Sequence, residues 1–343
     1  MSLRSSLSRP IGAVAVVVVT ALALAGCVSR DSDARSSAPP STVDASNLSA
    51  VTLNVGDQKG GTQSLLEASG QLTGLPYRIS FSTFTSGPPQ VEAATAGRID
   101  FAVTGNTPPI FGAAADARIK VVSAYANNAS GDQVLVPASS PLRSVADLRG
   151  KRVAVAKGSS ANGHILLQLK KAGLSPADVQ LIYLQPADAL TAFTAGQVDA
   201  WAIWDPYTAI AQRQNGARTL TTAEGVANGY GFGIASQQAL ADPAKNTALA
   251  DLVGRIAKAS AWAKTNPAEW AAKYSAAVKI DPAAGAVAQT RSLRPAIALD
   301  STVIGSEQQL YDAFVDAKQI PRGKPFSDYV DTRYADTVTE ATR

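Results

Sequence analysis

Four short segments carry the residue types that can hold an anion without proton transfer: Gly56-Asp57-Gln58-Lys59-Gly60-Gly61-Thr62, Thr85-Ser86-Gly87-Pro88-Pro89, Thr104-Gly105-Asn106-Thr107-Pro108-Pro109 and Lys157-Gly158-Ser159-Ser160. Glycine lets the backbone approach a ligand closely, and Lys59 adds positive charge. If these turns meet in one cleft, unpaired amides at helix starts and side-chain hydroxyls surround a compact oxyanion with no metal. Any one of them equally suits ordinary capping or turn geometry. Their recurrence in two parts of the chain is what points to a shared site.

A second concentration is Ala200-Trp201-Ala202-Ile203-Trp204-Asp205-Pro206-Tyr207. In a regular strand Trp201 and Trp204 face opposite sides, so only one is easily placed in a cleft. Trp204, nearer the strand end, is the residue expected against the carbon portion of a ligand, with Trp201 in the core. Asp205 suits three roles: accepting from a ligand amine, capping the next helix, or bonding across a closed hinge. His164, the only histidine, has no Cys, Asp or Glu near it in sequence and makes a poor metal signal. Packing or simple exposure is its plainer reading, beside a ligand or interlobe contact. No GxSxG elbow occurs, and Gly56 to Thr62 does not end in GKS or GKT, so nucleophilic catalysis and a phosphate loop both lack support.

These turns need strands and helices to position them. Val51 to Val55, Tyr77 to Phe84, Ile99 to Val103 and Ile119 to Tyr125 read as strands, alternating with helices starting near Thr62, Pro88 and Thr107. The pattern restarts after Pro141: a short helix at Ser144 to Leu148, strands at Arg152 to Ala156, Val179 to Leu184 and Ala200 to Trp204, and helices from Ser160, Pro186 and Pro206. Gly231 to Ser236 reads as one more strand. Pro243 to Tyr274 and Pro282 to Ile297 read as Ala-rich helices, interrupted near Asn266-Pro267. This is an α/β chain with parallel-rich mixed sheets. It crosses to a second lobe near Leu135 and returns near Gly231, giving a discontinuous lobe I (51–134 and 231–343), a lobe II (135–230) and a two-stranded hinge that permits closure.

Ahead of this body, Ile11 to Gly26 is an uncharged apolar run of 16 residues, preceded by Arg4 and Arg9 and ending at the single cysteine, Cys27. It is shorter than the roughly 20 residues a membrane span needs. Leu24-Ala25-Gly26-Cys27 reads as a lipoprotein cleavage site, with 1–26 as signal, Cys27 as the lipid-attachment residue and 27–50 as a flexible tether. An ordinary cleaved signal and an uncleaved anchor are the weaker alternatives. Without the signal, 29 basic residues face 27 acidic ones, scattered rather than striped, which argues against a nucleic-acid partner.

At these same motifs the chain resembles the aliphatic-sulfonate-binding proteins of ABC importers, within the broader group of taurine and nitrate receptors. The resembling stretches are GDQKGG from Gly56, SGPPQVEAATAGRIDFAVTGNTPPIF from Ser86, SPLRSVADLRGKRVAVAKGSSANGHILL from Ser140 and PADALTAFTAGQVDAWAIWDPYTAI from Pro186. The resemblance implies a periplasmic-binding-protein type II fold. It also implies a monomeric, membrane-anchored extracytoplasmic receptor, with no cofactor or metal, that delivers a small organosulfonate to a permease coupled to a cytoplasmic ATPase. It implies a sulfonate head near Gln58, Ser86, Gly87, Asn106, Thr107, Ser159 and Ser160, bordered by Trp204 and Asp205. Asn106 stands where an acidic residue is frequent, and SGPPQ has two prolines where many relatives have one. The neutral Asn106 favours an alkyl or aromatic sulfonate without a required ammonium. Taurine, nitrate or another sulfur or nitrogen nutrient are the alternative ligands. The other classes are a pyrimidine-precursor synthase on the same scaffold, which one histidine disfavours, and an adhesion or structural lipoprotein.

Overall fold

The computed structural model describes residues 42–44 and 47–343. The signal segment, Cys27 and most of the expected tether lie outside the described residues. The first unit of structure runs β1 (Thr52–Gln58), α1 (Thr62–Ala68), β2 (Arg78–Phe84), α2 (Gly87–Thr95), β3 (Phe101–Gly105), α3 (Thr107–Ala114) and β4 (Ile119–Ala126). The second runs β5 (Gln133–Val136), β6 (Arg152–Val155), α4 (Ser160–Lys171), β7 (Gln180–Tyr183), α5 (Pro186–Thr194), β8 (Ala200–Ile203), α6 (Tyr207–Asn215) and β9 (Arg218–Thr222). The remainder is β10 (Tyr230–Ser236), α7 (Gln237–Ala241), α8 (Pro243–Thr265), α9 (Pro267–Val278), α10 (Pro282–Ser292), β11 (Ala296–Ile297), α11 (Ser301–Asp316) and α12 (Ala335–Ala341).

Two mixed sheets result, ordered β11-β4-β10-β3-β1-β2 and β7-β6-β8-β5-β9. Parallel pairing joins β2, β1 and β3 in one and β7, β6 and β8 in the other. Because β10 re-enters the first sheet antiparallel between β3 and β4, that sheet is sealed by the returning chain. The chain leaves the first sheet after Ala126 and joins the second at Gln133, then makes the reverse passage between Thr222 and Tyr230. Phe101, Phe232 and Ile234 fill the first sheet's centre, and Val134, Val153, Val155 and Trp201 fill the second's. These are the near-continuous apolar strands expected of sheets covered on both faces.

Several details depart from the sequence reading. Pro282 to Ile297 is not helical throughout. The helix α10 stops at Ser292, and Ala296 and Ile297 pair with Tyr125 and Ala124 as a strand, because Pro295 cannot continue the helix while its carbonyl accepts from the Ala126 amide. The strands β5 and β9 went unread, since Gln133 and the hydroxyl-rich Arg218–Thr222 dilute the apolar signal. The end of the supposed tether is also fixed to the body. Leu48 is buried in the first sheet's core and the Val43 amide donates to Thr247 Oγ1 at 3.1 Å, so two apolar side chains in a polar stretch suffice to dock it.

Candidate ligand cleft

A cavity of about 480 Å³ opens where the carboxyl ends of the strands in both sheets face each other. The approach is close enough that glycines are required. A Cβ on Gly105 would stand 3.0 Å from Ser160 Cβ, and one on Gly163 would stand 2.4 Å from Thr107 Oγ1. Side chains complete the contact: Thr85 Oγ1 and Ser86 Oγ both donate to Gln185 Oε1 at 3.0 Å, and Asn106 Nδ2 donates to Asn228 Oδ1 at 2.8 Å.

Of the ten residues expected at a ligand, Gln58, Lys59, Gly87, Ser159, Ser160, Trp204 and Asp205 line this cavity. Ser86, Asn106 and Thr107 are buried beside it, their side chains spent on Gln185, on Asn228 and on Asn106 Oδ1 respectively. Gln58 Nε2 donates to Gln90 Oε1 at 2.9 Å, which anchors its amide at the cavity edge. Lys59 is exposed at the rim. Ser159 caps α4, its Oγ accepting from the Asn162 amide, and donates to the Ala156 carbonyl. Trp201 is fully buried in the second sheet's core, whereas Trp204 is half-buried and faces the cavity.

The carboxylates around the cavity are already engaged. Asp57 Oδ1 accepts from the Thr62 amide at 2.6 Å and Oδ2 from Gln63 at 3.3 Å, so the start of α1 is neutralised from within the chain. Burial pushes Asp57 up to about 6, the amides pulling the other way. Asp205 takes two of its three anticipated roles: it caps α6 through the Ala209 amide and pairs with Arg291 of α10. Burial pushes it up to about 7 against that pairing. His164 is buried in α4 with Nε2 3.1 Å from Gln168 Nε2, and burial lowers it to about 4. It is a packed core residue. Among the described residues no group of His, Cys, Asp and Glu is arranged to hold a metal.

One wall of the cavity is apolar. Trp270 and Tyr274 of α9 meet at 5.5 Å between ring centroids, and Leu65 and Leu293 pack against the same cluster. All four line the cavity. Trp270 Nε1 is satisfied by Gln289 Oε1 at 2.7 Å, leaving its ring as hydrophobic surface. Another part of the lining is polar, where Gly105 meets Ser160 and Gly231 meets Arg294.

The NMT1/THI5-like family profile matches residues 84–270, from the end of β2 into α9. This chain belongs to the NMT1/THI5-like family. It is 44% identical over 179 residues to an Escherichia coli (strain K12) protein named for binding aliphatic sulfonates, covering 51% of this chain and 56% of that protein. The chain spans about half the length of the curated relatives it matches. Among solved structures, it is similar to the alkanesulfonate-binding protein SsuA from Xanthomonas axonopodis pv. citri bound to MOPS (31% identity, TM-score 0.77, 82% of this chain and 98% of that one). It is also similar to the periplasmic aliphatic sulphonate binding protein SsuA from Escherichia coli (30% identity, TM-score 0.71, 82% and 92%). The two-lobed periplasmic-binding-protein fold expected from the sequence is thereby shown.

Several cleft residues of this NMT1/THI5-like chain were not anticipated: Gln185, Asn228, Asp132, Trp270, Tyr274, Arg291 and Arg294. Arg291 and Arg294 stood in a window read as uniform helix, where two cations three residues apart in an apolar stretch were the only signal. Trp270 and Tyr274 show helical spacing, which marks a face but not what that face meets.

Proposed function

We propose that this chain is an extracytoplasmic solute-binding protein that closes two lobes, 51–134 with 231–343 and 135–230, on an alkyl or aromatic sulfonate. It hands the sulfonate to an ABC permease with a cytoplasmic ATPase and performs no chemistry on it. Lipid attachment at Cys27 would hold the monomer at the outer face of the membrane. One observation carries the reading: a cavity of about 480 Å³ pairs a polar side, with the start of α4 and Arg294, with an apolar wall of Leu65, Trp270, Tyr274 and Leu293. A sulfonate has both halves: a permanent anion with three acceptor oxygens and a carbon tail. Nitrate lacks the tail and would leave that wall unfilled.

The selectivity argument shifts from Asn106 to the cavity carboxylates. Asn106 is occupied by Asn228, and Asp57 and Asp205 are bound by backbone amides and Arg291. Among the described residues lining the cavity an ammonium group therefore meets only carboxylates that are already engaged, which favours sulfonates without an amine over taurine. The buried His164, engaged with Gln168, supports binding rather than synthase chemistry. Native mass spectrometry of the gently purified protein, followed by calorimetric titration with pentanesulfonate, benzenesulfonate, taurine and nitrate, tests this. Saturable, tighter binding of the first two is expected. Preference for nitrate or taurine, or turnover of the ligand, would overturn the reading.

A further inference from the structure

Arg294 stands in the link between α10 and β11, and its guanidinium reaches both chain segments that join the two sheets. Nε donates to the Gly229 carbonyl at 3.1 Å on the returning segment, and Nη2 donates to Asp132 Oδ2 at 3.2 Å on the outgoing one. Asp132 Oδ1 also accepts from Ser160 Oγ at 2.9 Å, at the first residue of α4. The Asp132 side chain is 6% exposed, while that of Arg294 keeps 24% and lines the cavity. A guanidinium carries five donors in a planar fork. Two are used here, and Nη1 has no acceptor among the described residues.

A buried carboxylate, a cation held against it and an unspent guanidinium edge at a cavity wall have two distinct explanations. The pair is either a clamp on the hinge or the charge that receives an anion. The spare edge favours the second, because Arg294 lines the cavity and its Nη1 donors are left for an acceptor that arrives there. We propose that Arg294 is the anion-recognising cation of this cleft, offering its free Nη1 edge to the sulfonate oxygens, with Asp132 as the internal counter-ion that orients the guanidinium and the Ser160 hydroxyl. The proposal rests on the cleft being a sulfonate site, and adds a specificity-determining residue to it.

The two roles separate at Asp132. A clamp is broken equally by removing either partner. An anion contact is lost with Arg294 but survives, less neutralised, when Asp132 loses its charge. The test is calorimetric titration of the full chain with pentanesulfonate and with a neutral sulfone of matched tail, with melting followed by circular dichroism. Arg294→Gln is expected to weaken pentanesulfonate binding by about ten- to a hundredfold while leaving the sulfone unchanged. Asp132→Asn, which keeps a side-chain oxygen for the guanidinium but removes the counter-charge, should lose clearly less affinity for pentanesulfonate than Arg294→Gln does. Arg294→Lys, which keeps the charge without the fork, should fall between and serves if Arg294→Gln does not fold. Equal losses in Arg294→Gln and Asp132→Asn, or unchanged affinity in Arg294→Gln, would overturn the proposal while leaving the sulfonate reading intact. If the unaltered chain does not bind pentanesulfonate, the sulfonate reading fails and the proposal with it.

Discussion

Arg291 holds Asp205 through two parallel bonds, Nε to Oδ2 at 3.0 Å and Nη2 to Oδ1 at 2.8 Å, with the carboxylate side chain fully buried. The arginine lies in the last turn of α10 and the aspartate follows β8, so the pair ties the helical C-terminal part of the chain to the second sheet. Ala209 of α6 packs in the same apolar cluster as Ala284 and Ala288 of α10, which excludes water from that joint. Removing the arginine alone strands a buried charge. Arg291→Met should therefore lower stability by about 3 kcal/mol in urea unfolding at pH 8. The loss should shrink at pH 5, where the stranded carboxyl takes up a proton. An equal loss at both pH values would contradict this account.

Gly105 and Ser160 set how tightly the cleft can shut. Gly105→Val would place its first side-chain carbon 3.0 Å from Ser160 Cβ, a clash that exists only when the two sheets approach. Overpacking of this kind costs about 1–3 kcal/mol, so pentanesulfonate affinity should fall by about tenfold or more. The melting temperature should hardly move, because the lobes can relieve the clash by parting. A large fall in melting temperature with unchanged affinity would show the contact to be structural instead.

Trp204 is half-buried at the cavity while its neighbour Trp201 is sealed in the core. Trp204→Ala should weaken sulfonates with longer tails by about 1.5–3 kcal/mol and leave methanesulfonate nearly unaffected. Tryptophan emission should shift on ligand addition in the parent chain, with part of that signal lost in the variant and the rest carried by Trp270. A uniform loss across tail lengths would remove Trp204 from the tail wall.

Glu307 of α11 is fully buried, with Oε2 accepting from Asn228 Nδ2 at 3.0 Å and Oε1 lacking a partner among the described residues. Burial raises it from 4.5 to about 8. Between those values the folded chain keeps a proton that the unfolded chain has released. Its stabilising contribution is therefore complete below 4.5 and lost as pH rises through about 8, with a slope of up to about 1.4 kcal/mol per pH unit. Glu307→Gln should flatten this alkaline decline in a series of melts from pH 5 to 9. A variant that declines as steeply as the parent would refute it.

His164 acts at the other end of the scale. Burial lowers it from 6.5 to about 4, so the folded chain holds it neutral where the unfolded chain would protonate it. Its contribution is complete above 6.5 and lost as pH falls through about 4. Proton uptake on urea unfolding at pH 5.5, measured with an indicator dye, should drop in His164→Gln. Unchanged uptake would show that the ring is not the group concerned.

Much of the architecture was legible because it depends on local pattern. Alternating apolar runs and glycine or proline breaks marked β1 to β4, β6 to β8 and β10, and a capping Ser159 before Ser160 marked the start of α4. The tryptophan pair was readable in outcome, Trp201 in the core and Trp204 at the cavity, although Trp204 lies just past β8 and packs in part against the cluster that buries Trp201. Where short strands are paired through Gln133 or the hydroxyls of Arg218–Thr222, the pattern faded. Partners distant in sequence supply their stability.

The cleft divides in the same way. By itself the sequence determined which turns end the strands and that their glycines permit close approach, because these follow from residue type and spacing over a few positions. Only the tertiary structure decided that Ser86, Asn106 and Thr107 are spent on Gln185, Asn228 and one another, and that Asp57 closes its own helix start. It alone brought Arg291 and Arg294 to Asp205 and Asp132. A side chain's hydrogen-bonding capacity is written in its chemistry, but which partner consumes it depends on distances across the fold that no local spacing encodes.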